Sequence, residues 1–453
     1  MAGHLNPANR HPASVKRVRL LLVSTYELGH QPLHVASPAA ALRTAGHDVR
    51  CLDLSVEPWD PALAAWADKV AFSVPMHTAM RLAMRAAQAL KSARPEVPVC
   101  FYGLYAPVSR DLTLGRLADR VIAGEYERAL VAWAGTGASG AELDLSRQSF
   151  DLPARDLLPP LERYAHLALG GEERPVGYVE ASHGCVHTCR HCPVPSVYDG
   201  RIRIVGADTV MNDVEQLVAM GARHITFGDP DFLNGRKHSL AIVRAMHERF
   251  PELTFDCTVK VEHILEFPQV WPELSGSGCL FVVTAMECVS DAILERLDKG
   301  HTARQAADAI ALLREHGIEP RPSFMPFTPW TKIEDVVELL DFVAAHDLVG
   351  NVDPVQYTIR LLLPEGSLLL DHPDIQPHLG GYDAERLSWT WEPEDPDMDE
   401  LQAGLAALVE GAAAAAEDPA RTYERICAQV GAGAQIEAGS VEGRPRLTEP
   451  WFC

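Results

Sequence analysis

Apolar residues along this chain come in short runs separated by longer amphipathic stretches, and the two patterns alternate. Arg17–Ser24 (RVRLLLVS) is a compact apolar run, the signature of a strand buried on both faces. Ser37–Ala45 then carries helical spacing, Gly46 ends it, and Val49–Leu54 is the next strand. Val70–Val74 reads as a third strand, and Thr78–Ser92 as a long helix with Ala, Leu and Met on one side. Val97–Tyr102 and Arg120–Ala123 are further strands, and Glu125–Ala134 is a last helix. This alternation predicts an open, doubly wound parallel sheet, a Rossmann-like unit over residues 16–136. Ligands of such sheets bind beyond the carboxyl ends of the strands. Those ends are Thr25–His34, Pro75–Thr78, Gly103–Ala106 and Gly124–Glu127, and most carry Gly or His, as a close approach to a large ligand requires.

Asp151–Pro160, rich in Pro, Asp and Leu, marks a linker over residues 137–175. The βα pattern restarts at Gly177–Glu180. It continues through His224–Phe227, Thr254–Thr258, Leu280–Thr284, Glu319–Met325 and Pro354–Leu363, with helices such as Asp208–Met220, Ala303–His316 and Ile333–His346 between. Six strands predict a partial (βα)6 barrel over residues 176–367, so the fold class is α/β. From residue 368 to 453 the pattern becomes a small C-terminal helical extension. Trp389–Asp399 is acidic and Pro-rich, Leu401–Ala416 is an Ala-rich helix, and Gly431–Arg446 is a Gly-rich stretch expected to be poorly ordered. Residues 1–15 read as a flexible polar tail.

Composition narrows the classes. A chain of 453 residues with 47% hydrophobic and 23% charged residues is globular and too long for one ordinary core. Its net charge of -22 would repel a phosphate backbone, which argues against a nucleic-acid partner. No uninterrupted apolar run is long enough for a membrane span, and the polar N-terminus lacks a signal-peptide core, so a cytoplasmic protein is expected. In a reducing compartment clustered cysteines point to metal or redox chemistry rather than disulfides.

Gly184–Cys192 reads GCVHTCRHC, placing Cys185, Cys189 and Cys192 in C-x3-C-x2-C spacing directly after a strand. Three close thiolates can each take one iron of a cube and leave a fourth iron open. A zinc site is the alternative, with His183, His187 or His191 as fourth ligand, in a non-catalytic binding module. The motif's position at a strand end of a barrel favours the cluster.

GCVHTCRHC and the βα repeats after it resemble the radical S-adenosylmethionine (SAM) superfamily. The resemblance implies a 4Fe-4S cluster on Cys185, Cys189 and Cys192 that binds SAM and cleaves it reductively. An external reductase such as a flavodoxin or ferredoxin would donate the electron. The residue before the third Cys, commonly aromatic in the family, is His191 here, and its imidazole would pack on adenine in the same way. Ile225–Phe232 (ITFGDPDF) resembles the stretch that carries SAM-binding acids in the subgroup with an N-terminal cobalamin-binding-type domain. That assigns Asp229 and Asp231 to the cofactor. Met286–Asp291 (MECVSD), followed by Leu294, Leu297 and Lys299-Gly300, resembles another motif of this subgroup, which assigns Glu287 and Ser290 to the SAM ribose or carboxylate.

Residues 17–134 resemble a cobalamin-binding domain in strand order and in Gly124-Glu-Tyr-Glu-Arg-Ala-Leu, which assigns Gly103, Gly124 and Glu125 to that cofactor. The cobalt-ligating Asp-x-His-x-x-Gly motif is missing, and Tyr102-Gly103-Leu104-Tyr105 replaces the usual Gly-Gly pair. A relict domain that only shapes the substrate pocket is the alternative. On the substrate side, Arg360 is a candidate catalytic clamp for a carboxylate or other anion, or else pairs with a barrel acid. The segments GCVHTCRHCPV, HITFGDPDFLN, FTPWT and LTEPWFC resemble radical SAM proteins named for a Cys-Cys-Ala-Glu-Pro or Cys-Sec-Ala-Glu-Pro tail. This likeness makes Cys453 a candidate redox or soft-metalloid residue. Two transferase reactions follow from these likenesses. One is cobalamin-assisted methylation, or a related alteration, of a small natural-product intermediate; the other is 3-amino-3-carboxypropyl transfer to a soft atom such as trivalent arsenic.

Overall fold

The computed structural model describes residues 17–433 and 443–449. Its N-terminal sheet holds six parallel strands in the order β2-β1-β3-β4-β5-β6. These are β1 (Arg19–Ser24), β2 (Asp48–Asp53), β3 (Lys69–Ser73), β4 (Val99–Tyr102), β5 (Arg120–Gly124) and β6 (Gly140–Asp144). The crossover helices Leu33–Thr44, His77–Ala93 and Glu127–Thr136 cover both faces, which is why the middle residues of β1, β3 and β4 are apolar and buried. The sixth strand lies in the stretch expected as linker: β6 adds to the edge of β5 in parallel register.

The second sheet has the order β14-β13-β12-β11-β8-β7-β17. Here β7 is His166–Leu169, β8 Glu172–Val179, β9 Ser182–Gly184, β10 Ile202–Ile204, β11 His224–Phe227, β12 Thr254–Thr258, β13 Cys279–Glu287 and β14 Glu319–Phe324. Strands β8, β11, β12, β13 and β14 run parallel as an incomplete barrel, while β9 and β10 form a separate antiparallel pair. β7 hairpins back on β8 and accepts β17 (Arg446–Leu447) from the C-terminal end. The expected sixth barrel strand is replaced by a 3-10 helix, Pro354–Thr358, followed by one parallel bridge between Phe327 and Arg360. Pro354 starts that turn with a ring that supplies no N–H for a ladder, so pairing resumes only at Arg360.

Beyond the barrel, β15 (Leu379–Asp383) and β16 (Ser388–Trp391) form a hairpin, and the helices Asp397–Ala414 and Pro419–Val430 close the chain's outer side. The first helix covers the predicted Leu401–Ala416 except its last two residues; the second was not anticipated. Residues 434–442 of the expected Gly-rich stretch, the N-terminal tail and Cys453 lie outside the described residues.

Arg155 ties the two domains together. It is fully buried, donates from Nε and Nη2 to the two carboxylate oxygens of Asp213, and reaches Gln31 O and Tyr178 O with its remaining donors. One side chain thereby joins the segment between the domains, the first loop of the N-terminal sheet, and the barrel.

Candidate functional site

The cysteine loop leaves β8 through Glu180 and Ala181 and begins at Gly184. Gly184 has φ +76°, and a Cβ there would stand 2.3 Å from Arg201 O, so a side chain is excluded just before the first cysteine. Cys185, Cys189 and Cys192 are free thiols. Burial pushes the Cys192 thiol up to about 12, and the nearby Cys189 and Cys185 add to this. Burial raises Cys185 as well. Three soft donors in one short loop fit an iron–sulfur cluster, whose iron takes the place of the thiol protons.

Arg190, between the second and third cysteines, braces the loop. Its backbone N–H donates to Leu297 O, and its guanidinium donates to Glu295 O and Arg296 O at the end of the helix Asp291–Arg296. Leu369 N and Ser367 Oγ donate in turn to Arg190 O. A cation on those carbonyls complements the helix dipole and fixes the cysteine loop to a rigid element.

Around this loop the structure gathers the acids that the sequence singled out. Glu287 ends β13 with φ +65° and is buried, and its Oε1 meets both Lys299 Nζ (2.9 Å) and His191 Nε2 (3.1 Å). Burial opposes ionisation, but Lys299 and His191 hold the Glu287 carboxyl well below the usual range. Burial likewise works against the Lys299 ammonium, yet Glu287 and the neighbouring cysteines keep it charged. His191 is therefore engaged by a carboxylate. Asp229 accepts Ala181 N–H (2.9 Å) and Ser182 Oγ (2.6 Å), so it pins the chain entering the cysteine loop; burial pushes it up to about 7. Asp231 accepts Leu233 N–H and Lys260 N–H and faces His263 and His187. Ser290 starts the helix Asp291–Arg296, and its side chain makes no capping bond.

The candidates for the N-terminal cofactor fall on a rim whose two halves differ. Glu125 is buried, with His183 Nδ1 at 3.0 Å and Tyr198 donating at 2.9 Å, so it is bound to the barrel. A Cβ on Gly124 would lie 2.2 Å from Asp144 O, which explains its glycine by β6; one on Gly103 would press on the backbone of Val74. The loop after β1 also enters the domain seam. His34 contacts Glu180 at 3.2 Å and Tyr126 at 2.7 Å, and Tyr102 donates to His34 O. The other half, Pro75–Thr78 with Leu104, stays partly exposed. Leu104 packs in one apolar cluster with Cys185, Cys192, Val194 and Val197. This partly exposed half is the side of the rim where a corrinoid would have room; the half at Glu125 and Tyr102 is occupied by side chains.

Arg360 lies away from this loop. Its guanidinium stacks on Trp391, with Cζ 3.7 Å from the ring centre, donates to Trp391 O and pairs with Asp399. Sequence reasoning did not single out Lys260, His263, His34 or Glu180. Barrel closure brings Lys260 and His263 to Asp231, and the docking of the two domains brings His34 to Glu180.

Residues 179–343 match the radical SAM superfamily. The chain carries a radical SAM domain. Residues 19–134 match the B12 binding domain, so a B12-binding domain precedes the radical SAM domain. The chain is 26% identical over 214 residues to an uncharacterised methyltransferase of Pyrococcus horikoshii, covering 47% of this chain and 44% of that one. It is 24% identical to the hopanoid C-3 methylase of Methylococcus capsulatus, covering 67% of this chain and 62% of that one. It therefore spans about half to three-fifths of these relatives. Among solved structures it resembles the cobalamin-dependent radical enzyme OxsB with aqua-cobalamin and SAM bound, at TM-score 0.68, 14% identity, and 88% and 67% coverage. It also resembles the methyltransferase TsrM of Kitasatospora setae, at TM-score 0.63, 16% identity, and 87% and 89% coverage. The fold of the radical SAM domain and the B12-binding domain before it is thus shared with both. Among the described residues no helix is long and apolar enough to cross a membrane.

Proposed function

We propose that this chain is a radical SAM methyltransferase that acts, with cobalamin, on a small natural-product intermediate. The observation that carries the reading is that Leu104, from the B12-binding domain, packs on the same apolar cluster of Ala123, Val194, Val197 and Tyr198 as Cys185 and Cys192. It brings the open half of the corrinoid rim to the cysteine loop. When bound, the cluster supplies the electron for cleaving SAM and cobalamin supplies a methyl carrier. The protein's own residues hold and orient. Cys185, Cys189 and Cys192 hold the cluster, and Arg190 keeps their loop against a helix end. Glu287, kept ionised by Lys299 and His191, accepts hydrogen bonds from the nucleoside hydroxyls. Asp229 fixes the entry to the loop, and Pro75–Thr78 with Leu104 holds the corrinoid. An external reductase of the flavodoxin or ferredoxin type supplies electrons. The relatives named as methyltransferase and methylase support methyl transfer as the reaction.

Cys189→Ala tests this assignment. The variant should lose its cluster iron and all SAM consumption while keeping the far-ultraviolet spectrum of the wild type. SAM turnover that persists after the iron is lost would contradict it. With SAM labelled in its methyl group, the wild type should pass the label to an acceptor only when cobalamin is present.

A further inference from the structure

The groups His187, Asp231 and His263 are not accounted for by the cluster. His187 sits between Cys185 and Cys189, Asp231 follows β11, and His263 lies on the helix Val261–Glu266 after β12. One ligand atom from each lies within 4.8 Å of the other two. His263 Nδ1 is 3.0 Å from Asp231 Oδ2, and His187 Nε2 is 3.8 Å from the same oxygen. Both imidazole nitrogens are buried and lack a hydrogen-bond partner. The 3.0 Å contact is an ion-pair distance whose direction is poor for an N–H bond, so neither nitrogen is committed to a hydrogen bond.

We propose that His187, Asp231 and His263 form a second metal site for a borderline divalent cation such as zinc or ferrous iron, separate from the three cysteines. Two imidazoles and a carboxylate suit this class of ion, and with all three ligand atoms within 4.8 Å of one another small side-chain turns would bring them around one zinc. Three protein ligands leave a fourth position for water or a substrate oxygen. Glu262 Oε2 stands 3.7 Å from His187 Nδ1, the ring nitrogen away from the site. Lys260 Nζ, 3.3 Å from that nitrogen, also donates to Glu262 at 2.9 Å. A metal on Nε2 puts the ring proton on Nδ1, so binding requires Lys260 to turn to Glu262 alone and Nδ1 to donate to that carboxylate. A bound ion would link the cysteine loop to the helix after β12, two elements that otherwise meet through hydrogen bonds and ring contacts.

The test uses the cluster-loaded protein dialysed against zinc. Elemental analysis should find one zinc per chain with no loss of cluster iron. Zinc-edge X-ray absorption should show nitrogen or oxygen neighbours at about 2.0–2.2 Å. His263→Gln, close in size, should abolish the stoichiometric zinc and keep the iron, and Glu262→Gln should weaken zinc binding about 10–100-fold. Zinc should raise the unfolding temperature of the wild type and leave that of His263→Gln unchanged. Absence of bound zinc, zinc gained only as iron is lost, sulfur neighbours at about 2.3 Å, or full zinc in His263→Gln would each overturn the proposal.

Discussion

Single side chains carry much of this architecture, and Arg155 is the clearest case. Its guanidinium is buried, with bonds to Asp213, Gln31 and Tyr178 in three separate parts of the chain. Removing one member of such a pair strands the other charge, at a cost of about 3–5 kcal/mol. Arg155→Ala should show a loss of that size in chemical denaturation; a loss under about 1 kcal/mol would mean Asp213 finds another partner or a proton. Glu27 gives a pH test. Burial pushes its carboxyl up to about 7, against the pull of His34, so the fold prefers the protonated acid. Its contribution is therefore complete below about pH 4.5, the unfolded value, and is lost as pH rises through about 7. The unfolding free energy of the wild type minus that of Glu27→Gln should fall between about pH 5 and 8; a flat difference would mean Glu27 is ionised in the fold. At this scale the cysteines were legible because three ligands lie within eight residues. The partners of Glu287 and Asp231 were less so, because His191, Lys299 and His263 meet them only through the barrel's closure.

The elements divide by how local their causes are. β11 and β12 fall at the residues the apolar pattern predicts, since short apolar runs between two helices have no other way to be buried. The sixth barrel strand was misread because QYTIRLLLP has a strand's composition, whereas its backbone is set by Pro354 upstream and by Arg360 stacking on Trp391. The β15–β16 hairpin had no sequence signal beyond aromatic spacing, yet it joins the domains. Leu387, near its tip, is fully buried in the core of the N-terminal sheet, while Arg386 O and Glu385 O accept bonds from His77 and Arg81. Leu387→Ala should cost about 2–5 kcal/mol, the range for a buried leucine. Limited proteolysis should then cut first in the hairpin. Stability within about 0.5 kcal/mol of the wild type would show that the tip rests on the domain without anchoring it.

For the whole molecule, the two domains meet through their functional rims. The first loop of the N-terminal sheet, Glu125 and Leu104 all face the barrel, and His183 and Tyr198 answer from the cysteine loop and the helix after it. This arrangement packs the B12-binding domain directly against the cysteine loop and the helix after it. Sequence order alone indicated both domains; it did not indicate that half of the rim is taken by barrel side chains, because that depends on how the domains dock. The most direct test is the fate of SAM after anaerobic reconstitution of the cluster, addition of cobalamin and reduction. Iron-dependent consumption of SAM, giving 5'-deoxyadenosine and, with cobalamin, S-adenosylhomocysteine, is the predicted result. A fully loaded cluster that leaves SAM intact, or converts it mainly to 5'-methylthioadenosine, would contradict the account.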